Sequence, residues 1–489
     1  MFCGLDFGTS NCSLGLWRDG KPVLARVGRD GPYMPSVAYA ERAELSALPI
    51  DEGRLQIRIA AAMRTERTRR TEAKRRNRRY AGLSEGEIAS RERNLMQREA
   101  ARTTADAFSR QTIATALQGS GRLLFGEDAI DANALTPMDG FYFKSPKLFL
   151  GSEVQDTHLD VFSQVITAMI GEVRQRAELE AGHAITQTAI GHPVVYSLSR
   201  ELAGNGQALE IMERCARKAG FADIVFLPEP LAAAFNYERT VTHEEIVLVV
   251  DVGGGTTDCA VVRVGPRRAS VADRASDVLA YAGDRVGGGM MDFHLAWRAL
   301  MPSFGKDSLL RSGRPVPHPI LIDAISVENV PRQERFRRAG EQIRDLVDSA
   351  AEPDKLERLL QLWQEMLQHR LVRSAEAAKS GLRQAPEVTL PLDYIDPELQ
   401  VRITGDELRI ALESDLARIT ALACEAAAGA GAPIDRVFLT GGASKSPVVL
   451  EAIRTQLDPA VPIVRGDDFG SVTEGLTRYA CDVFGASAR

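Results

Sequence analysis

Apolar runs flank a glycine-rich turn at two places in the chain. In the first, apolar residues around Leu5 precede the turn and the run 12–17 follows it. In the second, the run 246–249 precedes the turn and the run 260–262 follows it. An apolar strand, a glycine turn and a second apolar strand form the pattern of a β-hairpin. The sequence therefore predicts two similar hairpins, one in each half of the chain.

The rest of the chain alternates between strand-length and helix-length patterns. Strand patterns occupy residues 34–39, 188–193, 224–227 and 436–440, and a peripheral hairpin joins 387–392 to 399–403. Helical patterns occupy about 161–178, 207–219, 335–383 and 473–484. Strands that alternate with helices in both halves predict an α/β protein with mixed sheets covered by helices.

Two stretches interrupt this alternation, and we predict that both are helical insertions. Residues 64–79 hold nine Lys or Arg and two Glu, a net charge of +7. Ser84 and Glu87 then match a capping box, and apolar residues from Ile88 onward follow at helical intervals. We expect lobe I at 1–244, with its core in 1–39 and 121–244 and its insertion at about 40–120. We expect lobe II at 245–489, with its core in 245–289 and 401–489 and its insertion at about 290–400.

The composition is that of a globular protein, with 44% hydrophobic and 26% charged residues in a chain of 489. At this length two or more domains are expected. The net charge of −6 argues against a nucleic-acid partner, and no apolar run reaches the roughly 18 residues of a membrane span. The six cysteines lack zinc-ligand spacing, and the chain opens into a strand without a secretory leader. These features predict a cytoplasmic location and no membrane contact.

The two turns share a chemistry that suits a bound phosphate. The first holds Asp6, Gly8, Thr9, Ser10 and Asn11, and the second holds Asp251, Gly253, Gly254, Gly255, Thr256, Thr257 and Asp258. Glycine lets backbone N–H groups approach an anion closely, and threonine or serine adds a hydroxyl donor. An aspartate repels phosphate and suits a Mg²⁺ ion with its waters. Asp6 and Asp251 lie 245 positions apart, so we expect each half to offer one phosphate turn to a shared cleft.

A single acidic glycine turn is common in ordinary hairpins and would indicate little. Two copies in matching contexts, followed by a strand and a Gly-Gly turn at 437–442, are far more specific. The chain has no Walker A sequence and no G-x-G-x-x-G that opens a helix after a strand. Nucleotide binding therefore has to use another architecture.

These motifs resemble the actin-like ATPase superfamily and, within it, the nucleotide-binding half of the DnaK-type chaperones. The two phosphate loops of that family resemble 6–11 and 251–258, its connecting motif resembles 229–234, and its adenosine motif resembles 441–447. The chain resembles the shortened YegD-type relatives more closely still, with similar sequence at 144–151, 371–379 and 466–472. The resemblance spans nearly the whole chain except the inserts near 40–120 and 300–365. It implies an actin-like ATPase fold, in which two lobes each hold a mixed five-stranded sheet flanked by helices.

The resemblance also implies a role for each matching residue. Asp6 and Asp251 would order the waters around Mg²⁺, and Thr9, Ser10, Asn11 and Thr256 would donate to the phosphates. Lys147 would reach the γ-phosphate, and Glu229 would help to place the attacking water. Glu376 and Lys379 lie on one helix face and match ribose contacts. The other implied nucleotide contacts are Gly8, Gly253, Gly254, Gly255, Thr257, Asp258, Gly287, Gly288, Gly441, Gly442, Ala443 and Lys445.

The sequence departs from the chaperone pattern on the adenosine side. The arginine that stacks on adenine falls at Ser380, and a nearby serine falls at Arg383. Lys445 occupies a second arginine position, and lysine does not stack on a base as a guanidinium does. We therefore expect weaker discrimination between ATP and GTP than in the full chaperones.

The resemblance implies a Mg²⁺-dependent ATPase that hydrolyses ATP slowly and couples its nucleotide state to lobe closure and partner binding. Only 48 residues follow Gly441, so a separate peptide-binding domain is not expected. An unidentified protein partner is expected at the basic insertion 64–118, although a plain solvated helix face also explains this charge.

Several alternatives stay open. A small-molecule kinase and a filament-forming protein of the same superfamily would both use the phosphate turns. His192 suits a structural role better than a catalytic one, because no Ser or Cys motif accompanies it. Lys144 competes with Lys147 for the phosphate role, and its position in the motif favours Lys147.

Overall fold

The protein is described by a computed structural model. It describes residues 1–41, 51–75, 123–135, 140–150, 156–196, 202–270, 274–466 and 470–485, with isolated positions between 85 and 96. The chain divides into two compact units: the first is Met1–Ala38, Leu124–Ala134 and Tyr142–Arg489, and the second is Tyr39–Leu123 and Leu135–Phe141. The predicted capping box at Ser84 and most of the insertion 64–118 lie outside the described residues.

The first sheet contains the first predicted hairpin. Its strands are β1 (Phe2–Phe7), β2 (Asn11–Arg18), β3 (Lys21–Leu24), β8 (Gln187–His192) and β9 (Asp223–Pro228), with β4 (Met34–Pro35) beside β2. They lie in the order β3-β2-β1-β8-β9. β1 and β2 are antiparallel, with Asp6 opposite Ser13, whereas β1, β8 and β9 are parallel.

The second sheet repeats this arrangement in the second half of the chain. Its strands are β10 (Glu245–Val252), β11 (Thr257–Val264), β12 (Val278–Asp284), β15 (Arg436–Thr440) and β16 (Ile463–Arg465). They lie in the order β12-β11-β10-β15-β16, and Asp251 of β10 is opposite Asp258 of β11. Two mixed sheets with the same strand order confirm the α/β fold class that the alternation of strand and helix patterns predicts.

The remaining strands are β5 (Val37–Glu41), β6 (Leu123–Phe125), β7 (Gly140–Lys144), β13 (Glu387–Pro391) and β14 (Gln400–Thr404). β13 and β14 pair antiparallel, which confirms the predicted peripheral hairpin. The predicted helical stretch 335–383 is divided among several helices. One break precedes Pro353, because proline has no N–H for the helical ladder and disfavours helical backbone in the residue before it.

The helices are numbered in chain order. They are α1 (Glu52–Arg75), α2 (Gly126–Leu135), α3 (Asp156–Ala181), α4 (Leu202–Lys218), α5 (Glu229–Tyr237), α6 (Gly288–Leu295), α7 (His318–Ile325), α8 (Val330–Arg338), α9 (Gly340–Ser349), α10 (Pro353–Gln364), α11 (Gln368–Gly381), α12 (Gly405–Ala411), α13 (Glu413–Gly429), α14 (Pro447–Gln456) and α15 (Gly470–Phe484). None of those in the described ranges has both the length and the apolar character needed to cross a bilayer.

Two helices pack against the sheet of the opposite half. α5 follows β9 but packs on β10 and β11, and α15 follows β16 but packs on β1, β2 and β8. α5 and α15 also pack on each other, and a core cluster that includes Leu231, Val249, Phe438 and Leu476 joins them to the second sheet. Each half of the chain thus contributes one helix that packs on the sheet of the other half.

The position of α15 differs from the sequence-based division, which counted residues 470–484 with lobe II. The close approach of α15 to the first sheet depends on glycine, because a Cβ at Gly4 or Gly15 would overlap Thr477. The Ser13 and Thr473 hydroxyls also form a buried hydrogen bond of 2.6 Å between β2 and α15. These contacts join residues more than 450 positions apart, so no local pattern indicates them.

Candidate functional site

The two glycine turns lie face to face in the first unit. The first joins β1 to β2 and the second joins β10 to β11. Gly254 lies against Ser10, and Gly255 lies against Thr9 and Leu148, so closely that a Cβ at either glycine would overlap these neighbours. The glycines are therefore needed for the turns to approach each other. The structure brings together the two sets of residues that the sequence predicts for phosphate binding.

A third glycine turn is bonded to the second one. The N–H of Gly288 donates to the Gly253 carbonyl at 2.9 Å, and the N–H of Gly289 donates to the Gly254 carbonyl at 2.7 Å. The Thr257 hydroxyl donates to the Val286 carbonyl at 2.7 Å. Because α6 begins at Gly288, its N-terminus lies beside the second phosphate turn. A helix N-terminus favours negative charge.

Lys147 and Glu229 form a buried ion pair beside the turns. Lys147 lies on the short 3-10 helix Pro146–Phe149, and Glu229 is the first residue of α5. The Lys147 Nζ atom lies 2.5 Å from Glu229 Oε1. Burial alone would lower the pKa of Lys147, but the charges of Glu229, Tyr196 and Asp6 and the hydrogen bond to Glu229 together outweigh it, and the net shift is upward. Lys147 is therefore charged and held in place at neutral pH.

Three aspartates of the turns have raised pKa values. Burial and the nearby Glu229 carboxylate raise the pKa of Asp6 to about 7. Burial, Glu229 and Asp258 raise the pKa of Asp251 well above its ordinary value. The pKa of Asp258 rises to about 7 through burial and Glu229, although bonds from Thr256 and from the Val194 N–H, at 2.7 Å, oppose the shift. Negative charge thus accumulates in this buried region.

This carboxylate set fits a divalent cation. A bound Mg²⁺ would offset the mutual repulsion of the acids and restore their ionised forms. Among the described residues, no group of three or more His, Cys, Asp or Glu side chains is arranged to hold a metal directly. Asp6 and Asp251 are the residues that could hold Mg²⁺ through its waters.

A cavity lies between the first turn, the Lys147 helix and the second turn. Its described lining residues are Thr9, Lys147, Leu148, Leu150, Pro193, Val195, Tyr196, Thr256 and Arg285. Tyr196 is buried, and its hydroxyl has no hydrogen-bond partner among the residues that the structure describes. A buried hydroxyl without a partner is costly, so the cavity wall offers an unused donor. Glu376, Lys379 and Lys445 are not among the described residues that line this cavity.

The predicted adenosine loop lies next to Asp251. β15 pairs parallel with β10, which places Thr440 opposite Asp251 and the loop immediately after it. Gly441 has a φ of 87°, a left-handed value that favours glycine, and a Cβ there would overlap the Asp251 carboxylate. Gly442, Ala443 and Lys445 belong to the 3-10 helix that follows. A guanidinium nitrogen of Arg383 lies 3.4 Å from the Gly442 carbonyl.

The predicted ribose contacts lie beside the third glycine turn. Lys379 of α11 is buried, with Nζ 2.6 Å from Asp292 Oδ1 and 2.9 Å from the Gly288 carbonyl. Glu376, one turn earlier on α11, raises the pKa of Asp292, although less than burial does. Lys144 lies 3.3 Å from Glu328 and makes no ion pair with Glu229, whereas Lys147 does. Lys147, unlike Lys144, is among the described residues that line the cavity between the two turns.

Sequence reasoning missed Tyr196 and Arg285 as site residues. Arg285 directly precedes Val286 and Gly287, so a cation at the edge of a glycine turn was a usable signal. No sequence signal indicates Tyr196. His192 has its pKa lowered by burial, and its Nδ1 atom lies 2.8 Å from the Pro193 carbonyl, an environment that suits a structural histidine.

Comparison with known proteins finds similarity over part of the chain. A family model described as Hsp70 protein matches residues 147–308, which include Lys147, Glu229 and the second phosphate turn. Two relatives, both named Chaperone protein DnaK and both from strains of Thermus thermophilus, are 26% identical to the chain over 306 residues. The matched region covers 60% of this chain and 39% of each relative. The match therefore spans well under half the length of these relatives.

Proposed function

Because the chain is a member of the DnaK-type Hsp70 family, whose proteins are ATP-binding chaperones, we propose that it binds and slowly hydrolyses Mg²⁺-ATP. We place the triphosphate between the two glycine turns. The observation that carries this proposal is the close approach of Gly254 and Gly255 to Ser10 and Thr9. Two sets of backbone N–H groups and hydroxyls then face one small volume, which suits a polyphosphate.

In this proposal Asp6 and Asp251 would hold Mg²⁺ through its waters, and a bound ion would offset part of the phosphate charge. Glu229 orients a water toward the γ-phosphorus, and Lys147 is fixed by Glu229 beside it. The water oxygen bonds to the γ-phosphorus, and the bond to the bridging oxygen breaks with its electron pair going to ADP. One water proton leaves through the carboxylates to solvent. Positioning and charge stabilisation account for catalysis of this kind.

Coupling to a partner is the second part of the proposal. α5 and α15 each join the sheet of one half to elements of the other, so a change in the cleft would reach both sheets. Contacts across the cleft support this, since Lys144 pairs with Glu328 at 3.3 Å and Arg285 donates to the Leu148 carbonyl at 2.5 Å. Closure around ATP and release after hydrolysis would therefore move the halves relative to each other.

The proposed partner is a protein that docks on the basic insertion 64–118. Residues 64–79 carry a net charge of +7, which favours an acidic surface. A cytoplasmic location is also part of the proposal, and the six free cysteines support it because disulfides are rare there.

The test is turnover of Mg²⁺-ATP by the wild type and by Asp251→Asn and Thr256→Val. Loss of one positioned group costs at least about 1.4 kcal/mol in the barrier, so each variant is expected to lose at least about tenfold in turnover. Asp307→Asn and Thr389→Val change exposed residues of the same types and serve as controls with wild-type turnover. Full activity in Asp251→Asn or Thr256→Val would refute the assignment of the second turn.

A further inference from the structure

We propose that Arg285 acts as an arginine finger supplied within the chain, which binds the γ-phosphoryl group and distinguishes a triphosphate from a diphosphate. The proposal rests on the proposed function and adds the residue that recognises the γ-phosphate. Arg285 lies in the loop between β12 and α6, in the half of the chain that carries the second phosphate turn.

The position of Arg285 is the first argument. It lines the same cavity as Thr9, Lys147 and Thr256, the residues implied for the β- and γ-phosphates. Its Nη2 atom donates to the carbonyl of Leu148, the residue after Lys147, at 2.5 Å. The side chain thus crosses from the second half of the chain to the phosphate-binding lysine of the first half.

The anchoring of Arg285 is the second argument. Its backbone N–H donates to the Asp284 carboxylate at 2.7 Å, and Arg418 holds the other oxygen of this carboxylate at 2.5 Å. Two residues later, the turn at Gly287–Gly289 is bonded to the second phosphate turn. The loop is therefore fixed at both ends, and Arg285 is positioned before any ligand binds.

The charge of the cavity is the third argument. Among its described lining residues, the charged side chains are Lys147 and Arg285. The positive charge of Lys147 is offset by Glu229 at 2.5 Å, and Arg285 donates to the Leu148 carbonyl at 2.5 Å. Burial lowers the pKa of Arg285, and Glu328, which opposes this shift, also contacts Lys144 and the Ser145 hydroxyl. A guanidinium in this setting retains the charge and the forked donors that match a phosphoryl group.

The Tyr196 hydroxyl gives independent support for a ligand in this cavity. It lines the same cavity, is buried, and has no hydrogen-bond partner in the described part of the chain. The Tyr196 backbone N–H donates a hydrogen bond of 2.7 Å to the side-chain oxygen of Asn205. An oxygen-rich group beside Arg285 would satisfy this hydroxyl, as a γ-phosphoryl group does.

The experiment is calorimetric titration with Mg²⁺-ADP and with the Mg²⁺ complex of a non-hydrolysable β,γ-imido ATP analogue. Arg285→Ala should weaken binding of the triphosphate analogue at least about tenfold and change ADP binding less than about twofold. Arg285→Lys should recover part of the lost affinity, because it keeps the charge without the fork. Arg454→Ala, which removes an exposed guanidinium of α14, is the matched control and should leave the ratio of the two affinities unchanged.

Melting temperatures without nucleotide show whether each variant is folded. If Arg285→Ala is folded and binds both nucleotides as the wild type does, or loses both equally, Arg285 does not read the γ-phosphate. If the wild type itself binds neither nucleotide, the proposed function fails together with this assignment. Selective loss of the triphosphate analogue supports both.

Discussion

At the residue scale, the site carries more negative charge than its own cations offset. Asp6, Asp251 and Asp258 all have raised pKa values because they are buried and lie near Glu229. Lys147 lowers each of these pKa values, but it is less effective than burial and Glu229 together. The aspartates therefore favour a bound proton or a bound cation over an empty, ionised state.

This imbalance predicts how stability depends on pH when Mg²⁺ is chelated. The pKa of Asp6 is about 7 in the folded protein, above its value of about 4 in an unfolded chain. The folded protein therefore retains a proton between these values, and the stability that this gives is complete below pH 4 and lost as the pH rises through 7. Asp6→Asn should unfold with a free energy at least about 1 kcal/mol higher than the wild type at pH 8.

The measurement is denaturant unfolding with a chelator at pH 5 and pH 8. The gain from Asp6→Asn should shrink at pH 5, where the wild-type carboxyl is already protonated, while Asp307→Asn should show no such pH dependence. A variant that is less stable than the wild type at pH 8 would show that Asp6 is not strained by its neighbours.

At the element scale, the packing of α5 and α15 on the sheets of the opposite halves depends on small residues. Gly475 of α15 lies against the Ala232 carbonyl of α5, where a Cβ would overlap it. Gly475→Ala should therefore lower the free energy of unfolding by about 1–3 kcal/mol. In α3, a Cβ at Gly171 would meet nothing within 4 Å, so Gly171→Ala should be neutral or stabilising by up to about 1 kcal/mol.

Chemical denaturation of the two variants gives both values, with circular dichroism as the probe. Equal effects of Gly475→Ala and Gly171→Ala would mean that α5 and α15 do not need their close contact.

The elements that the sequence predicts best are those with local signals. β15 begins at Arg436 and ends at Thr440, as predicted, because a short apolar run meets a Gly-Gly turn there. The two phosphate hairpins have the same kind of signal. The packing of α15 on the first sheet was not predictable, since it depends on Gly4 and Gly15 meeting the distant Thr477. Arg285 and Tyr196 were missed for a related reason, because side chains share a cavity only after the chain has folded.

At the scale of the whole molecule, every predicted nucleotide contact belongs to the first compact unit. The second unit, Tyr39–Leu123 with Leu135–Phe141, contains none of them. Nucleotide binding and partner binding are therefore expected to be separable by mutation.

Deletion of residues 64–118 tests this separation. The deleted chain should keep the rise in melting temperature that Mg²⁺-ATP gives the wild type, because a ligand stabilises only through the folded site that it binds. It should lose a captured protein partner, and the wild-type association should weaken with salt because the insertion is basic. Undiminished, salt-independent capture by the deleted chain would place the partner elsewhere.

The most direct test of the central claim, that two facing glycine turns bind one nucleoside triphosphate, is calorimetric titration of Mg²⁺-ATP into the wild type and Gly254→Val. A side chain at Gly254 would overlap Ser10 and separate the turns. We predict one ATP per wild-type chain and at least about tenfold weaker binding in a variant that remains folded. Absence of binding by the wild type, or undiminished affinity in Gly254→Val, would contradict the account.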